Sequence, residues 1–187
     1  ATDSARVPDS KRELIPRSGA VEYVLAEADA SYLHLNIVGR DGPPQEVEIL
    51  VDTLPERGPD YRIVVDTASG TARAFVHNSL EPIRLYTSEE IDYPDAGETW
   101  HLFRQIVNRS ITVDGKRVPA ELVDVGELVQ GAWEPEAKDY DSLSTWRIDN
   151  EALRMRIPWP MLGLADPSAR TALGRGKPAE LVTIDSL

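Results

Sequence analysis

The chain contains no cysteine. That excludes a disulfide framework, a zinc–thiolate site and a thiol nucleophile. It leaves the compartment open, because cytosolic proteins and bacterial surface proteins both fold without disulfides. Lysine is scarce: four of the 20 basic residues are Lys and 16 are Arg, which reads as the mark of a GC-rich genome rather than of Arg-mediated recognition. Positive charge is short overall, with 20 basic against 32 acidic residues and a formal net charge of -12. Nucleic acid and anionic membrane surfaces need a cationic footprint, so neither is the expected partner. No apolar run approaches the roughly 18 residues that a membrane-spanning helix requires, and no secretion signal is visible. A Gly-x-Ser-x-Gly nucleophile elbow is missing. Gly174-Arg175-Gly176-Lys177 has neither the spacing nor the following hydroxyl of a phosphate-cradling loop.

What the chain does have is a series of short β-type runs punctuated by turns. The 187 residues suit one domain with tails. Residues 1–18 are polar and carry Pro8 and Pro16, so they read as a lead-in, and residues 19–187 as the domain. Val21 to Glu27 and Tyr32 to Val38 flank the turn Ala28-Asp29-Ala30-Ser31 and read as a hairpin. Val47 to Asp52 is a strand, and Tyr61 to Asp66 with Thr71 to Val76 forms a second hairpin. Residues 86–100 are acidic and turn-rich, and residues 101–113 read either as a strand pair or as a short helix followed by a strand. Asp114-Gly115 is a hairpin turn, since this dipeptide readily supplies positive φ angles. Trp146 to Asp149 and Leu153 to Ile157 bracket Asn150-Glu151-Ala152 as a third hairpin.

Pro158 and Pro160 then end the last strand at Ile157 and turn the chain into one helical turn over Met161 to Leu164, with Asp166-Pro167-Ser168 opening a second. Many short strands with little helix predict an all-β fold, a single antiparallel β-sandwich of jelly-roll or immunoglobulin-like type with one or two helical turns. The chain opens on Ala1 rather than Met and closes on the strand-like run Leu181 to Leu187, so it is expected to be a piece of a longer protein.

Two elements carry a resemblance. One is the acidic turn followed by a tyrosine and alternating apolar residues: Asp29, Tyr32, Leu33 and Leu35, with Val47, Ile49, Val51 and Asp52 in the next strand. The other is the isoleucine-proline-tryptophan step Ile157, Pro158, Trp159 with Leu162, accompanied by Asp141-Ser142-Leu143 upstream and Asp166-Pro167-Ser168 downstream. Over residues 20–187 this resembles the family 9 carbohydrate-binding modules and the related DOMON-like β-sandwiches of large exported bacterial proteins. The resemblance implies an extracellular or cell-surface accessory domain that is not an enzyme. Its partners would be a polysaccharide or glycan and the neighbouring domains of the same polypeptide. A structural or protein-interaction domain with no sugar site is the other reading. Some DOMON-like relatives hold haem through methionine and histidine. Both methionines here, Met155 and Met161, stand at the proline step, which speaks against it.

Sugars stack their apolar faces on flat aromatic rings, which draws attention to the four tryptophans. Trp146 and Trp159 sit in apolar contexts and read as core. Trp100 and Trp133 lie in polar, acidic stretches and are the candidate ligand-binding platforms. Carboxylates cluster in three places: Glu46, Glu48 and Asp52; Asp92, Asp95 and Glu98; and Glu134, Glu136, Asp139 and Asp141. The last set ranks first for calcium, because a flexible loop can wrap an ion in several oxygens. The solvated acidic surface is the plainer reading of all three.

Overall fold

The computed structural model describes residues 20–54, 58–80, 98–150, 152–166, 169–175 and 180–184. The lead-in expected over residues 1–18 and the acidic residues Asp92 and Asp95 lie outside them, as do Pro167 and Ser168 of the second expected helical turn. The fold is all-β and sandwich-like, built of several sheets that are almost wholly antiparallel, with one 3-10 turn over Trp159–Leu162 among the described residues.

In chain order the strands are β1 (Val21–Ala28), β2 (Tyr32–Gly39), β3 (Glu46–Val51), β4 (Tyr61–Asp66), β5 (Thr71–His77), β6 (Trp100–Leu102), β7 (Arg104–Asn108), β8 (Ile111–Val113), β9 (Lys116–Val118), β10 (Glu121–Asp124), β11 (Val129–Gln130), β12 (Ser144–Asp149), β13 (Ala152–Pro158), β14 (Leu164–Asp166), β15 (Thr171–Leu173) and β16 (Leu181–Thr183). The larger sheets run β1-β2-β13-β12-β11 and β3-β4-β5-β6. A three-stranded sheet β14-β15-β16 and the ribbons β7-β10 and β8-β9 complete the set. The region 101–113 thus holds β6, β7 and β8 with short breaks between them, and no helix.

The chain divides into two compact units, the first of Ala1–Glu48, Val64–Ala72 and Leu128–Leu162, the second of Ile49–Ile63, Arg73–Glu127 and Gly163–Leu187. The five-stranded sheet lies within the first. Its register follows from the period-2 pattern of the sequence. Ala26, Leu35, Met155 and Trp146 stand opposite one another on successive strands, as do Val24, Ile37, Leu153 and Ile148. Trp146 and Leu153 are completely buried, and Ile37, Met155 and Ile157 nearly so. This is the apolar face of the sheet, and the alternate residues are forced to the other face.

Both expected core tryptophans are buried, and each finds a carbonyl for its indole N–H. Trp146 Nε1 donates to the Leu128 carbonyl at 3.1 Å, and Trp159 Nε1 to that of Asp29 at 2.9 Å. Pro158 is the last residue of β13, paired with Tyr32. The helical turn begins earlier than the sequence led us to expect, at Trp159, and it ends at Leu162. The correction has a local cause. Gly163 adopts φ 68°, which breaks the turn, and the chain re-enters extended structure at Leu164, so Asp166 ends a strand instead of opening a second turn.

In the second unit the buried carboxylate of Asp60 ties a loop together. It accepts from the Thr53 amide at 3.0 Å, the Thr53 hydroxyl at 3.1 Å and the Leu54 amide at 2.9 Å, and it pairs with the guanidinium of Arg175. A buried carboxylate is tolerable only with such saturation. Burial pushes the neighbouring Tyr61 hydroxyl far above its ordinary value, the charge of Asp60 adds to the shift, and Arg175 opposes it. The Asp114-Gly115 hairpin forms as expected, with φ 51° and 74°, the left-handed pair that a two-residue turn demands.

Candidate functional site

The face of the five-stranded sheet opposite its apolar face is polar. Register aligns Leu25, Asn36, Arg154 and Arg147 across β1, β2, β13 and β12 in one row. Glu27, His34 and Arg156 form the next row along the strands. Three arginines, Arg147, Arg154 and Arg156, thus gather on this face.

A loop over residues 131–143 roofs this face, and arginines hold it there. Arg156 donates from Nε to the Ser144 carbonyl at 2.7 Å and from Nη2 to the Ser142 carbonyl at 2.8 Å. Its guanidinium lies 5.1 Å from the Tyr32 ring centre and 5.2 Å from that of Trp133. Arg147 stands 4.6 Å from the same indole and forks onto both carboxylate oxygens of Glu134. Bidentate guanidinium–carboxylate pairs and cations over indole rings are the directional forms of these contacts. The hydrogen bonds from Arg147 hold the Glu134 carboxyl below its ordinary value, outweighing the effect of burial.

Between roof and sheet lies a cavity of about 330 Å³, lined by Glu27, His34, Asn36, Trp133, Arg147 and Arg154 among others. That volume falls at the small end of ordinary ligand pockets. Three of the side chains that line the cavity each carry a buried polar atom without a hydrogen-bond partner: Asn36 Oδ1, Arg147 Nε and Arg154 Nε. Native structures leave few such atoms, so three beside one cavity call for an explanation. Asp149 faces Arg154 Nη2 at 3.2 Å. The polar and aromatic inventory of the lining is thus two carboxylates, an amide, an imidazole, two guanidiniums and an indole. Such groups bond hydroxyls as donors and acceptors alike.

The Asp29 turn borders this face. The Asp29 carboxylate accepts from the Ser31 and Tyr32 amides, both at 2.7 Å, and from His34 Nε2 at 2.9 Å. Partial burial raises its pKa, but the bonds from His34 and the two amides outweigh that and hold it below the ordinary value. The turn also receives the proline step of the sequence: Trp159 donates its amide to the Ser31 carbonyl at 3.2 Å and its indole N–H to the Asp29 carbonyl. The two motifs that carried the resemblance are one clasp.

The expected site residues divide accordingly. Trp133 lines the cavity, half-buried, with guanidiniums against its ring. Trp100 belongs to the second unit, where its ring meets the His77 ring edge-on at 5.3 Å, and it does not line this cavity. Of the proposed calcium ligands, Glu134 is committed to Arg147. Asp141 Oδ1 accepts from the Leu143 amide at 2.8 Å, and Glu136 and Asp139 are exposed. Among the described residues no three acidic or histidine side chains come together as a metal-ligand group. Sequence reasoning missed Glu27, Asn36, Arg147 and Arg154. Only their alternation within strands marked them, and alternation marks any solvated face equally. Compared with known proteins, the chain matches no family model, no curated protein and no solved structure.

Proposed function

We propose that this chain is a non-catalytic carbohydrate-binding accessory domain of a larger surface or secreted protein, in the manner of the family 9 modules it resembles. The cavity beneath Trp133 is its glycan site. The supporting observation is the set of hydrogen-bonding side chains that line this cavity, Glu27, His34, Asn36, Arg147 and Arg154, beside the indole of Trp133. Sugar hydroxyls both donate and accept, so side chains of this kind suit them.

Isothermal titration calorimetry against a panel of soluble glycans, with and without calcium, tests the proposal. Saturable binding by one glycan is expected, and Asn36→Ala and Trp133→Ala should each weaken it by tenfold or more, about 1.4 kcal/mol or above, in a still-folded protein. Binding that survives both substitutions, or that is wholly absent, rejects the site. A structural or protein-interaction role is the second reading. It draws on the second unit, where Val107, Ile111, Val113, Val118 and Val123 are exposed on the ribbons of residues 104–124. Apolar side chains gathered on thin ribbons suit a protein partner.

A further inference from the structure

His34 lines the cavity beneath Trp133, and its Nε2 stands 2.9 Å from Asp29 Oδ2. The other oxygen of that carboxylate, Oδ1, accepts from the Ser31 and Tyr32 amides, both at 2.7 Å, so the turn fixes the carboxylate in place. Partial burial opposes its ionisation, but the bonds from His34 and the two amides outweigh that, and the group is a carboxylate at neutral pH. An ionised carboxylate has no proton to give, so the proton between the two side chains belongs to the imidazole. Neutral His34 is therefore the Nε2–H tautomer, and Nδ1 keeps its lone pair.

That lone pair counts because the lining is rich in donors. Arg147, Arg154 and the indole of Trp133 donate and cannot accept. Both carboxylate oxygens of Glu134 already accept from Arg147. An acceptor fixed at Nδ1 complements them: one sugar hydroxyl accepts from a guanidinium and donates its own proton to the imidazole.

We infer that Asp29 is a positioning residue of the glycan site, one that holds His34 in the Nε2–H tautomer so that Nδ1 accepts a hydrogen bond from a sugar hydroxyl. This rests on the carbohydrate reading above and deepens it. Protonation of the ring puts a proton on Nδ1 and removes the acceptor. The groups around the imidazole are Asp29 and Tyr32, Glu27 opposite it on β1, Arg156 opposite it on β13, and Glu134, Arg147 and Arg154 of the cavity lining.

Asp29→Asn separates this role from a structural one. The asparagine oxygen still serves the Ser31 and Tyr32 amides, while its amino group meets Nε2 as a donor. Nε2 must then accept, the proton moves to Nδ1, and the acceptor is lost in a folded protein, which circular dichroism checks. Nitrogen-15 NMR of the imidazole, at a pH where the ring is neutral, reads the tautomer: Nε2–H is expected in the wild type and Nδ1–H in the variant. Calorimetry on the whole chain with gluco-, xylo-, manno- and galacto-tetrasaccharides reads the consequence. The tetrasaccharide that binds the wild type is expected to bind the variant about tenfold or more weakly. Wild-type affinity is expected to fall on acidification in step with the protonation of His34 followed by NMR, a readout that needs no variant. An Nδ1–H tautomer in the wild type or an Nε2–H tautomer in the variant overturns the positioning role and leaves the carbohydrate reading intact. So does an affinity that ignores the protonation of His34, or a variant that inverts the tautomer and binds as before. If none of the four tetrasaccharides binds, the carbohydrate reading fails and this inference falls with it.

Discussion

The indole Nε1 of Trp159 donates to the backbone carbonyl of Asp29 at 2.9 Å, across 130 residues of sequence. The bond fastens the end of β13 to the turn that opens β2, and the Trp159 amide adds a second link to Ser31 at 3.2 Å. Trp159→Phe keeps an aromatic ring in the buried position and removes the donor. It should lower stability by about 1–2 kcal/mol, from one lost hydrogen bond and a smaller ring. Asp29→Ala removes the acceptor of the Ser31 and Tyr32 amides and should lower stability by a similar amount, about 1–2 kcal/mol. Urea denaturation of both variants measures this. A midpoint unchanged in each would show that the clasp contributes nothing.

The same turn makes a prediction about pH. The Asp29 carboxyl titrates below its ordinary value because the folded chain stabilises its charged form. A group with a depressed folded pKa contributes stability above its unfolded pKa of about 3.9, and that contribution fades as pH falls through the folded value. Asp29→Asn keeps an oxygen acceptor for the amides and removes the charge. Wild type should therefore be the more stable at neutral pH, and the difference should shrink steadily below about pH 4. Paired urea titrations from neutral pH downward check it. A difference that grows on acidification would reverse the sign and refute the assignment.

Each half of that clasp was legible in the sequence, and their union was not. Asp29 announces a turn, and Ile157-Pro158-Trp159 announces a strand end, because both depend on local stereochemistry. The Asp114-Gly115 turn was legible for the same reason, and so was the turn at Asn150, which adopts φ 54°. That Trp159 should meet Asp29 depends on β13 lying beside β2, a long-range pairing that no local pattern encodes. The site was hidden by the same kind of fact. Arg147, Arg154 and Arg156 alternate with apolar residues, which in one strand reads only as a wet face. Register across the strands puts Arg147 and Arg154 in one row with Asn36, lining a cavity, and Arg156 in the next row with His34. Glu134 read as a candidate calcium ligand because sequence shows its acidic neighbours, while the guanidinium that claims it sits 13 residues on, in β12.

Gly163 supplies a test in the second unit. Its φ of 68° is one that L side chains rarely adopt, and a methyl group there would fall on the hydroxyl of Tyr61. Gly163→Ala should be destabilising by on the order of 2–3 kcal/mol, from the left-handed backbone and the displaced ring together. The Tyr61 hydroxyl is buried without a hydrogen-bond partner, so Tyr61→Phe alone should be neutral or slightly stabilising. In that background Gly163→Ala should do less harm, because the first atom it meets is gone. Recovery should stay incomplete, since the ring carbon that bore the hydroxyl still lies 2.8 Å from the added methyl. A double-mutant cycle with no coupling between the two positions would contradict the geometry.

Arg156 decides whether the roof of the cavity stays in place. It bonds the carbonyls of Ser142 and Ser144 at 2.8 and 2.7 Å, and it stacks against Tyr32 and Trp133 at 5.1 and 5.2 Å. One planar fork makes all four contacts, which a lysine ammonium cannot reproduce. Arg156→Lys keeps the charge but leaves at least one carbonyl without its donor and an indole without its plane. Stability should fall by about 1–2 kcal/mol, and the larger effect should be local. Limited proteolysis of the 131–143 loop should accelerate several-fold relative to cleavage elsewhere, because the loop opens without unfolding the sheet. Glycan affinity should fall in step, since Trp133 and Glu134 reach the cavity only through that loop. The paired readout separates two roles for the arginine. Faster cleavage with unchanged affinity would mean that the roof is not part of the site, and unchanged cleavage would mean that Arg156 does not hold the roof at all.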